Sequence, residues 1–317
     1  MRRGMLGRGL VLGAVLFGTV NTVGVSGAEP LNLLFFGNSF TQGFTVANND
    51  DETPVPDIVR DLATADGYAT PFIVADLLGG QDLDYHLGQV NNQSQNNVAN
   101  SGLGAGDTWD FVVMQGLSTE STSVFGDGTF EQDALALYQA VEGHRSGNGA
   151  GVTGVLYQTW ARGPGNSFYT GSNPDYPGGP AEMQADVRAG YESARSVIAS
   201  IEGDDAALIA PVGDAFESLG FALDFSQDAA LNLYDTDIFH ASNQGTLLAA
   251  LVIYRTIYGE DVSDLVYGDL GSSLTSLASA SQWEILTTAA DLVVIPEPAV
   301  ATVLLLASVS LFGRFRR

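Results

Sequence analysis

Five short apolar runs punctuate the chain, and stretches with helical spacing lie between them. The first run, Leu31 to Phe36, is broken only by Asn32 and ends at Gly37. A near-continuous apolar run of this length reads as a strand buried on both faces. Pro71 to Leu77, Asp110 to Met114, Val152 to Tyr157 and Ala207 to Ala210 read as four more strands. Helices are predicted between them. Thr53–Asp66 carries Ile58, Val59, Leu62 and Ala63 on one stripe, has prolines at its start and stops at Gly67. Thr129–His144 repeats Ala134, Leu137, Tyr138 and Val141, and Ala181–Ile201 repeats Met183, Val187, Tyr191, Ala194 and Ile198. Pro211–Leu219 starts another helix, and Ser242–Tyr258 has a broad apolar face (Leu247, Leu248, Leu251, Val252, Ile253) closed by Gly259. The first strand–helix–strand unit spans about 45 residues, enough for a right-handed crossover between parallel strands. Five strands alternating with helices predict an α/β, doubly wound sheet.

Three stretches break the alternation. Asp82 to Asp107 is polar and rich in Asn, Gln and Gly, and its Asn91–Asn97 run reads as a solvated loop or a polar helix end. Trp160 to Pro180 is a long loop leaving the carboxyl end of the fourth strand, where loops shape pockets. Its Trp160, Phe168, Tyr169 and Tyr176 have two readings: stacking faces for a sugar or aryl group, or the loop's own small core. Gly271 to Val294 is rich in Ser, Ala and Leu and contains a predicted helix that packs on the domain or forms a stalk.

The ends differ from the middle. Met1–Ala28 has a basic start (Arg2, Arg3), an apolar segment from Leu10 to Val20 and small residues at Ser26-Gly27-Ala28, the layout of a secretory signal peptide. A permanent N-terminal anchor is the other reading. The expected organisation is therefore a leader at 1–28, an α/β domain at 29–270, a helix or stalk at 271–294 and a distinct segment at 295–317.

Composition narrows the function. Of 317 residues, 45% are hydrophobic and 15% charged, which fits a globular protein. The net charge of −25 argues against nucleic acid as a partner, because phosphate backbones need a cationic surface. All 12 basic residues are arginines, and Arg2, Arg3, Arg8, Arg314, Arg316 and Arg317 lie at the ends, so the middle is more acidic still. Cysteine is absent, which excludes disulfides, thiolate metal sites and a cysteine nucleophile. The histidines, His86, His144 and His240, are too scattered to suggest a metal cluster, and no metal or cofactor is expected.

Candidate chemistry centres on Ser39, two residues past Gly37. A serine at the carboxyl end of a central parallel strand lies where open α/β sheets keep their ligands. Its plain structural reading is a cap for the next helix. The reading as a nucleophile gains from Asp237-Ile238-Phe239-His240, which supplies a base and an orienting acid. His86, just past Gly79-Gly80, reads as a surface or helix-packing histidine.

Gly37-Asn38-Ser39-Phe40-Thr41 resembles the first block of the SGNH (GDSL-like) hydrolases, in the branch with Asn before the serine. Asp237-x-x-His240 resembles their last block, Leu78-Gly79-Gly80 their second, and Trp109 to Gln115 the strand entering their third. The resemblance covers roughly Leu31 to Gly259. It implies a three-layer α/β/α flavodoxin-like fold with a central parallel sheet, and a serine hydrolase acting on ester bonds. Ser39, His240 and Asp237 would be catalytic, and Ser39, Gly80 and Gln115 would form the oxyanion hole. The family's third block, Gly-x-Asn-Asp, is not present here; Gln115, or else Ser118, would have to replace its asparagine. The implied substrate is an ester, O-acetyl groups on a polysaccharide being one choice and lipid esters another. A non-catalytic glycan-binding surface protein on the same fold is the alternative.

Pro296-Glu297-Pro298, the apolar run Ala299–Phe312 and the closing arginines resemble a PEP-CTERM sorting signal. That resemblance implies processing by signal peptidase and an exosortase-like enzyme, delivery to the cell surface or extracellular matrix, and membrane contact only through terminal segments.

Overall fold

The computed structural model describes residues 29–45, 50–51, 53–91, 107–143, 151–224 and 231–294. The expected leader at 1–28, the expected sorting segment at 295–317 and most of the Asn91–Asn97 run lie outside the described residues. No helix among the described residues is long and apolar enough to cross a membrane.

Five parallel strands form the central sheet: β1 (Asn32–Gly37), β2 (Phe72–Leu77), β3 (Phe111–Met114), β4 (Thr153–Tyr157) and β5 (Ala207–Ala210). Their order is β2-β1-β3-β4-β5, the flavodoxin-like doubly wound arrangement. β1 lies between β2 and β3, with Leu34 opposite both Val74 and Val112. That position explains its composition: Leu33, Leu34, Phe35 and Phe36 are wholly buried, two toward each helical layer. Each such side chain contributes about 1.5–3 kcal/mol on burial. β2 is an edge strand, and its residues are half-buried or exposed.

Helices α2 (Val55–Ala65), α7 (Asn243–Tyr258) and α9 (Ala280–Val293) cover one face, with the single turn α8 (Ser272–Thr275) against α2. α3 (Leu83–Asn91), α4 (Phe130–Gly143) and α5 (Pro180–Glu202) cover the other, and α6 (Val212–Ser218) sits against α5, α7 and α9. The architecture is thus three-layer α/β/α. α7 is buried continuously from Gly245 to Arg255 because α2, α6 and α9 enclose it outside the sheet. α9 starts with a capping box, Ser279 with Gln282, and its Asp291 pairs with buried Arg255 at 3.3 Å.

α3 is an element absent from the sequence expectation. Only Leu83, His86 and Val90 of it are buried, a thin stripe interrupted by polar residues and Gly88. Of the two readings of His86, surface or helix-packing, the structure takes the second. The side chain is fully buried, its Nδ1 lies 3.0 Å from Asp76 on β2, and its ring packs on Phe36 and Tyr85.

The long loop after β4 resolves the two readings for three of its four aromatics, while half-buried Phe168 stacks on exposed Phe125, ring centroids 4.5 Å apart. Trp160 is wholly buried between Phe40 (ring centroids 4.2 Å apart) and Phe216 (4.6 Å), both nearly parallel to it. Tyr176 is buried and donates to Asp186 at 2.7 Å, while half-buried Tyr169 donates to the Arg162 carbonyl at 2.8 Å. Both tyrosines and Trp160 belong to the interior rather than to a stacking surface.

Candidate active site

Ser39 is the first residue of α1 (Ser39–Gln42), a single helical turn directly after β1. The turn is fixed by Asn38, whose Oδ1 accepts from the Phe40 N–H at 3.2 Å. The Asn38 Nδ2 donates to the Gln81 carbonyl at 2.9 Å and to the Gly116 carbonyl at 3.3 Å. One buried amide therefore ties together the loops that follow β1, β2 and β3. Gly37 is required for a steric reason: a Cβ there would lie 2.3 Å from the Thr41 hydroxyl oxygen. Gly43 ends the turn in the left-handed region, φ 71°.

The base arrives on a closed turn before α7. The Asp235 N–H donates to the His240 carbonyl at 2.9 Å, and the Ile238 N–H donates to the Asp235 carbonyl at 2.9 Å. Ile238 sits at φ 54°, an unusual conformation for a β-branched residue. Such outliers persist only where the surroundings impose them. Here the Gly163 N–H grips the Ile238 carbonyl at 2.8 Å, and Trp160 Nε1 grips the Phe239 carbonyl at 3.1 Å.

This turn aligns three side chains. His240 Nδ1 lies 2.6 Å from Asp237 Oδ2, and His240 Nε2 lies 3.0 Å from Ser39 Oγ. The carboxylate can only accept, so Nδ1 carries the proton and Nε2 is left to accept from the serine hydroxyl. Asp237 Oδ1 also accepts from the Phe239 and His240 N–H groups at 3.0 and 2.9 Å. Burial opposes ionisation of Asp237, but the hydrogen bonds from the His240 ring and from these two N–H groups outweigh it. Its pKa lies below the usual carboxylate value, so it is ionised at neutral pH. Phe40 meets the His240 ring edge-on, centroids 5.8 Å apart, and limits its rotation.

A cavity of about 470 Å³ opens over this group. Ser39, His240, Gly79, Gly80 and Ser118 line it, with Phe40, Leu117 and Phe239 as apolar walls. Gly80 adopts φ 76°, which any side chain would strain. The Ser39 and Gly80 N–H groups have no acceptor among the described residues.

Gln115 does not belong with them, which corrects the sequence expectation. It is fully buried beneath the turn and does not line the cavity. Its Oε1 accepts from the Asn38 N–H and the Thr41 hydroxyl, both at 2.9 Å, and its Nε2 donates to the Gly116 carbonyl. Wholly buried and held by these bonds, Gln115 supports the nucleophile turn from below and presents no donor to the cavity. Ser118, the other candidate from the same loop, does reach the cavity.

Two residues near the site were not anticipated. Arg162, two positions past Trp160, is only 9% exposed and donates through Nη2 to Ser118 Oγ at 2.9 Å. Its guanidinium lies 3.5 Å from the Phe239 ring centroid. Burial lowers its pKa to about 10, which leaves it charged at neutral pH. Glu120 accepts from the Leu117 N–H at 2.7 Å and bridges toward the start of α3. Burial, opposed by the Leu117 hydrogen bond and reinforced by Asp82 and Asp133, raises its pKa to about 8. The signal available in the sequence was that each follows a strand's carboxyl end, Arg162 as a rare interior cation. Among the described residues no group of three or more His, Cys, Asp or Glu side chains is placed to hold a metal ion.

No protein family profile and no curated protein matches this sequence. Solved structures do match. A DUF4886 family protein from Bacteroides uniformis aligns at 16% identity over 83% of this chain and 93% of its own, with a TM-score of 0.53. A candidate SGNH hydrolase from Slackia heliotrinireducens aligns at 26% identity over 72% of this chain and 100% of its own, with a TM-score of 0.48. A lipase/acylhydrolase from Enterococcus faecalis aligns at 14% identity over 72% and 96%, with a TM-score of 0.46. The Bacteroides uniformis likeness shows a shared fold. Solved SGNH and GDSL-like hydrolases are thus among the structural neighbours.

Proposed function

We propose that this chain is an exported serine esterase of the SGNH type. The observation that carries the reading is the single imidazole of His240 set between Asp237 (2.6 Å) and Ser39 (3.0 Å) at the floor of a cavity. In this reading the Ser39 hydroxyl gives its proton to His240 Nε2 as its oxygen attacks the ester carbonyl. Asp237 holds the ring and stabilises the imidazolium that forms. His240 then protonates the departing alkoxide, and a water molecule, deprotonated by the same nitrogen, releases the acid from Ser39. The N–H groups of Ser39 and Gly80 are suited to hold the oxyanion, each such donor contributing about 3 kcal/mol to the barrier.

A cavity of about 470 Å³ suits a short acyl group with part of its alcohol. We favour O-acetyl groups on carbohydrate, in keeping with the leader at 1–28 and the PEP-CTERM-like segment at 295–317, which together point to delivery at the cell surface or matrix. Hydrolysis of acetyl over octanoyl aryl esters supports this choice, and the reverse order favours a lipid ester. The test of the reaction is Ser39→Ala in the full-length protein, with an aryl acetate as substrate. A fall in kcat of roughly 10³-fold or more is expected. Unchanged hydrolysis, or a fluorophosphonate probe that fails to label Ser39, refutes the assignment.

A further inference from the structure

We propose that Ser118 supplies the third oxyanion hydrogen bond and that Arg162 positions and polarises its hydroxyl. The inference rests on the esterase reading above and names the group that takes the place left empty by Gln115.

Ser118 lines the same cavity as Ser39 and Gly80 and sits on the loop after β3, beside the loops that carry the other two donors. Arg162 Nη2 donates to its Oγ at 2.9 Å. One lone pair of the hydroxyl is therefore occupied, and its own hydrogen has no acceptor among the described residues. That hydrogen is free to turn toward a group in the cavity. Ser118 is only 3% exposed, so water competes poorly for it.

Arg162 explains why a hydroxyl is adequate there. It is 9% exposed, and among the described residues no carboxylate lies within 4.0 Å of its guanidinium. Arg188 and Arg255, in contrast, are each paired with two carboxylates. Arg162 Nη1 is buried with no hydrogen-bond partner among the described residues. A buried cation is costly to keep unless negative charge comes close at some stage. The Phe239 face, 3.5 Å away, and the more distant ionised Asp237 carboxylate offset only part of this. The remaining charge comes into use when the carbonyl oxygen becomes anionic. As Ser39 Oγ bonds to the carbonyl carbon, the π pair moves onto that oxygen, and the proton from Ser39 goes to His240. Ser118 keeps its proton and donates a hydrogen bond strengthened by the cation behind it. The neutral ester gains little from the same arrangement, so the effect falls on kcat.

The experiment uses the full-length protein and an aryl acetate. Ser118→Ala is expected to lower kcat by about 10²–10³-fold with KM within about 3-fold. Arg162→Gln is expected to lower kcat in the presence of Ser118 and to have no further effect, within about 3-fold, in the Ser118→Ala background. Arg162→Lys, which keeps the charge, recovers part of the loss. A merely structural role for Arg162 would instead give additive losses and no rescue. Should Ser118→Ala not fold, a crystal structure of the wild-type chain phosphonylated on Ser39 gives the answer: the phosphoryl oxygen lies within hydrogen-bond reach of Ser118 Oγ, or the inference is wrong. If Ser39→Ala abolishes hydrolysis while Ser118→Ala leaves kcat intact, this inference fails and the esterase reading stands. If Ser39→Ala retains activity, both fall.

Discussion

Asn38 is the place where stability and site geometry are most directly coupled. Its side chain is 2% exposed and makes three hydrogen bonds, one within its own turn and one to each of the two neighbouring loops. Asn38→Ala removes the cap on α1, a loss of about 1 kcal/mol. It also strips the Gln81 and Gly116 carbonyls of a donor at 2.9 and 3.3 Å. The Gly116 carbonyl keeps the Gln115 amide as a donor, so the Gln81 carbonyl alone is left unsatisfied, at a cost of about 1–3 kcal/mol. The sum is a destabilisation of roughly 2–4 kcal/mol, or a Tm shift of about 5–12 °C for a domain of this size. Asn38→Asp is the sharper test. It keeps the oxygen that accepts from Phe40 but turns an oxygen toward two carbonyls, a contact tolerable only with the carboxyl protonated. The aspartate pKa is then raised in the native state, so its stabilising form is lost as pH rises. Chemical unfolding from pH 5 to pH 8, with kcat measured alongside, should show Asn38→Asp close to wild type in acid and progressively worse toward pH 8. An aspartate variant as stable as wild type at pH 8, or an alanine variant within about 0.5 kcal/mol of it, would refute the view that this amide ties the three loops.

Four further outcomes are expected. Asp237→Asn should lower kcat by on the order of 10³–10⁴ with the fold intact, since an amide no longer imposes the Nδ1–H tautomer; a loss under about 10-fold in steady-state assays would count against the orienting role. Because the native pKa of Asp237 is depressed, its stabilising contribution holds at neutral pH and fades as pH falls below about 4, so wild type and Asp237→Asn should converge in acid melts. Glu120 behaves oppositely: its pKa is raised to about 8, so the unfolded chain ionises first and stability drains as pH climbs from about 4.5 to about 8, at about 1.4 kcal/mol per pH unit. Glu120→Gln should flatten that slope in urea titrations across the window, and an unchanged slope would show that the carboxyl is not held protonated. Trp160→Ala should cost about 3–5 kcal/mol by emptying the slot between Phe40 and Phe216, whereas a cost below about 1 kcal/mol would mean that the slot collapses freely.

Where the chain could be read locally and where it could not follows from the range of the forces involved. The strands were legible because Leu33–Phe36 and Val112–Met114 are buried on both faces, which leaves no polar alternation to confuse the pattern. The Asp237-x-x-His240 spacing was legible because a short turn alone fixes it. α3 was not, since its buried stripe is three residues among polar neighbours. The choice between Gln115 and Ser118 depends on which way the chain turns after Met114. It turns so that Gln115 drops under the Asn38 turn and Ser118 emerges at the rim, a long-range outcome of hydrogen bonds across 74 and 77 residues. The fate of Trp160 was equally non-local. An aromatic on a loop has no local marker of burial, and its two stacking partners lie 120 residues back and 56 forward.

The strand order accounts for the convergence of these distant residues. In the order β2-β1-β3-β4-β5, the chain leaves β1 toward β2 and must cross back over β1 to reach β3, so the loops at that reversal diverge and leave a crevice. Ser39, Gly80 and Ser118 follow β1, β2 and β3, the three strands around it. His240 has no strand of its own at this point and must be brought in. The loop after β4 does this, with the Gly163 N–H on the Ile238 carbonyl and the Trp160 indole on the Phe239 carbonyl. The Trp160 ring also stacks on Phe40, the neighbour of Ser39. A single buried side chain thus touches the residue after the serine and the residue before the imidazole. The 3.0 Å contact between Ser39 and His240 is therefore held by core packing as well as by the two short motifs that carry these residues.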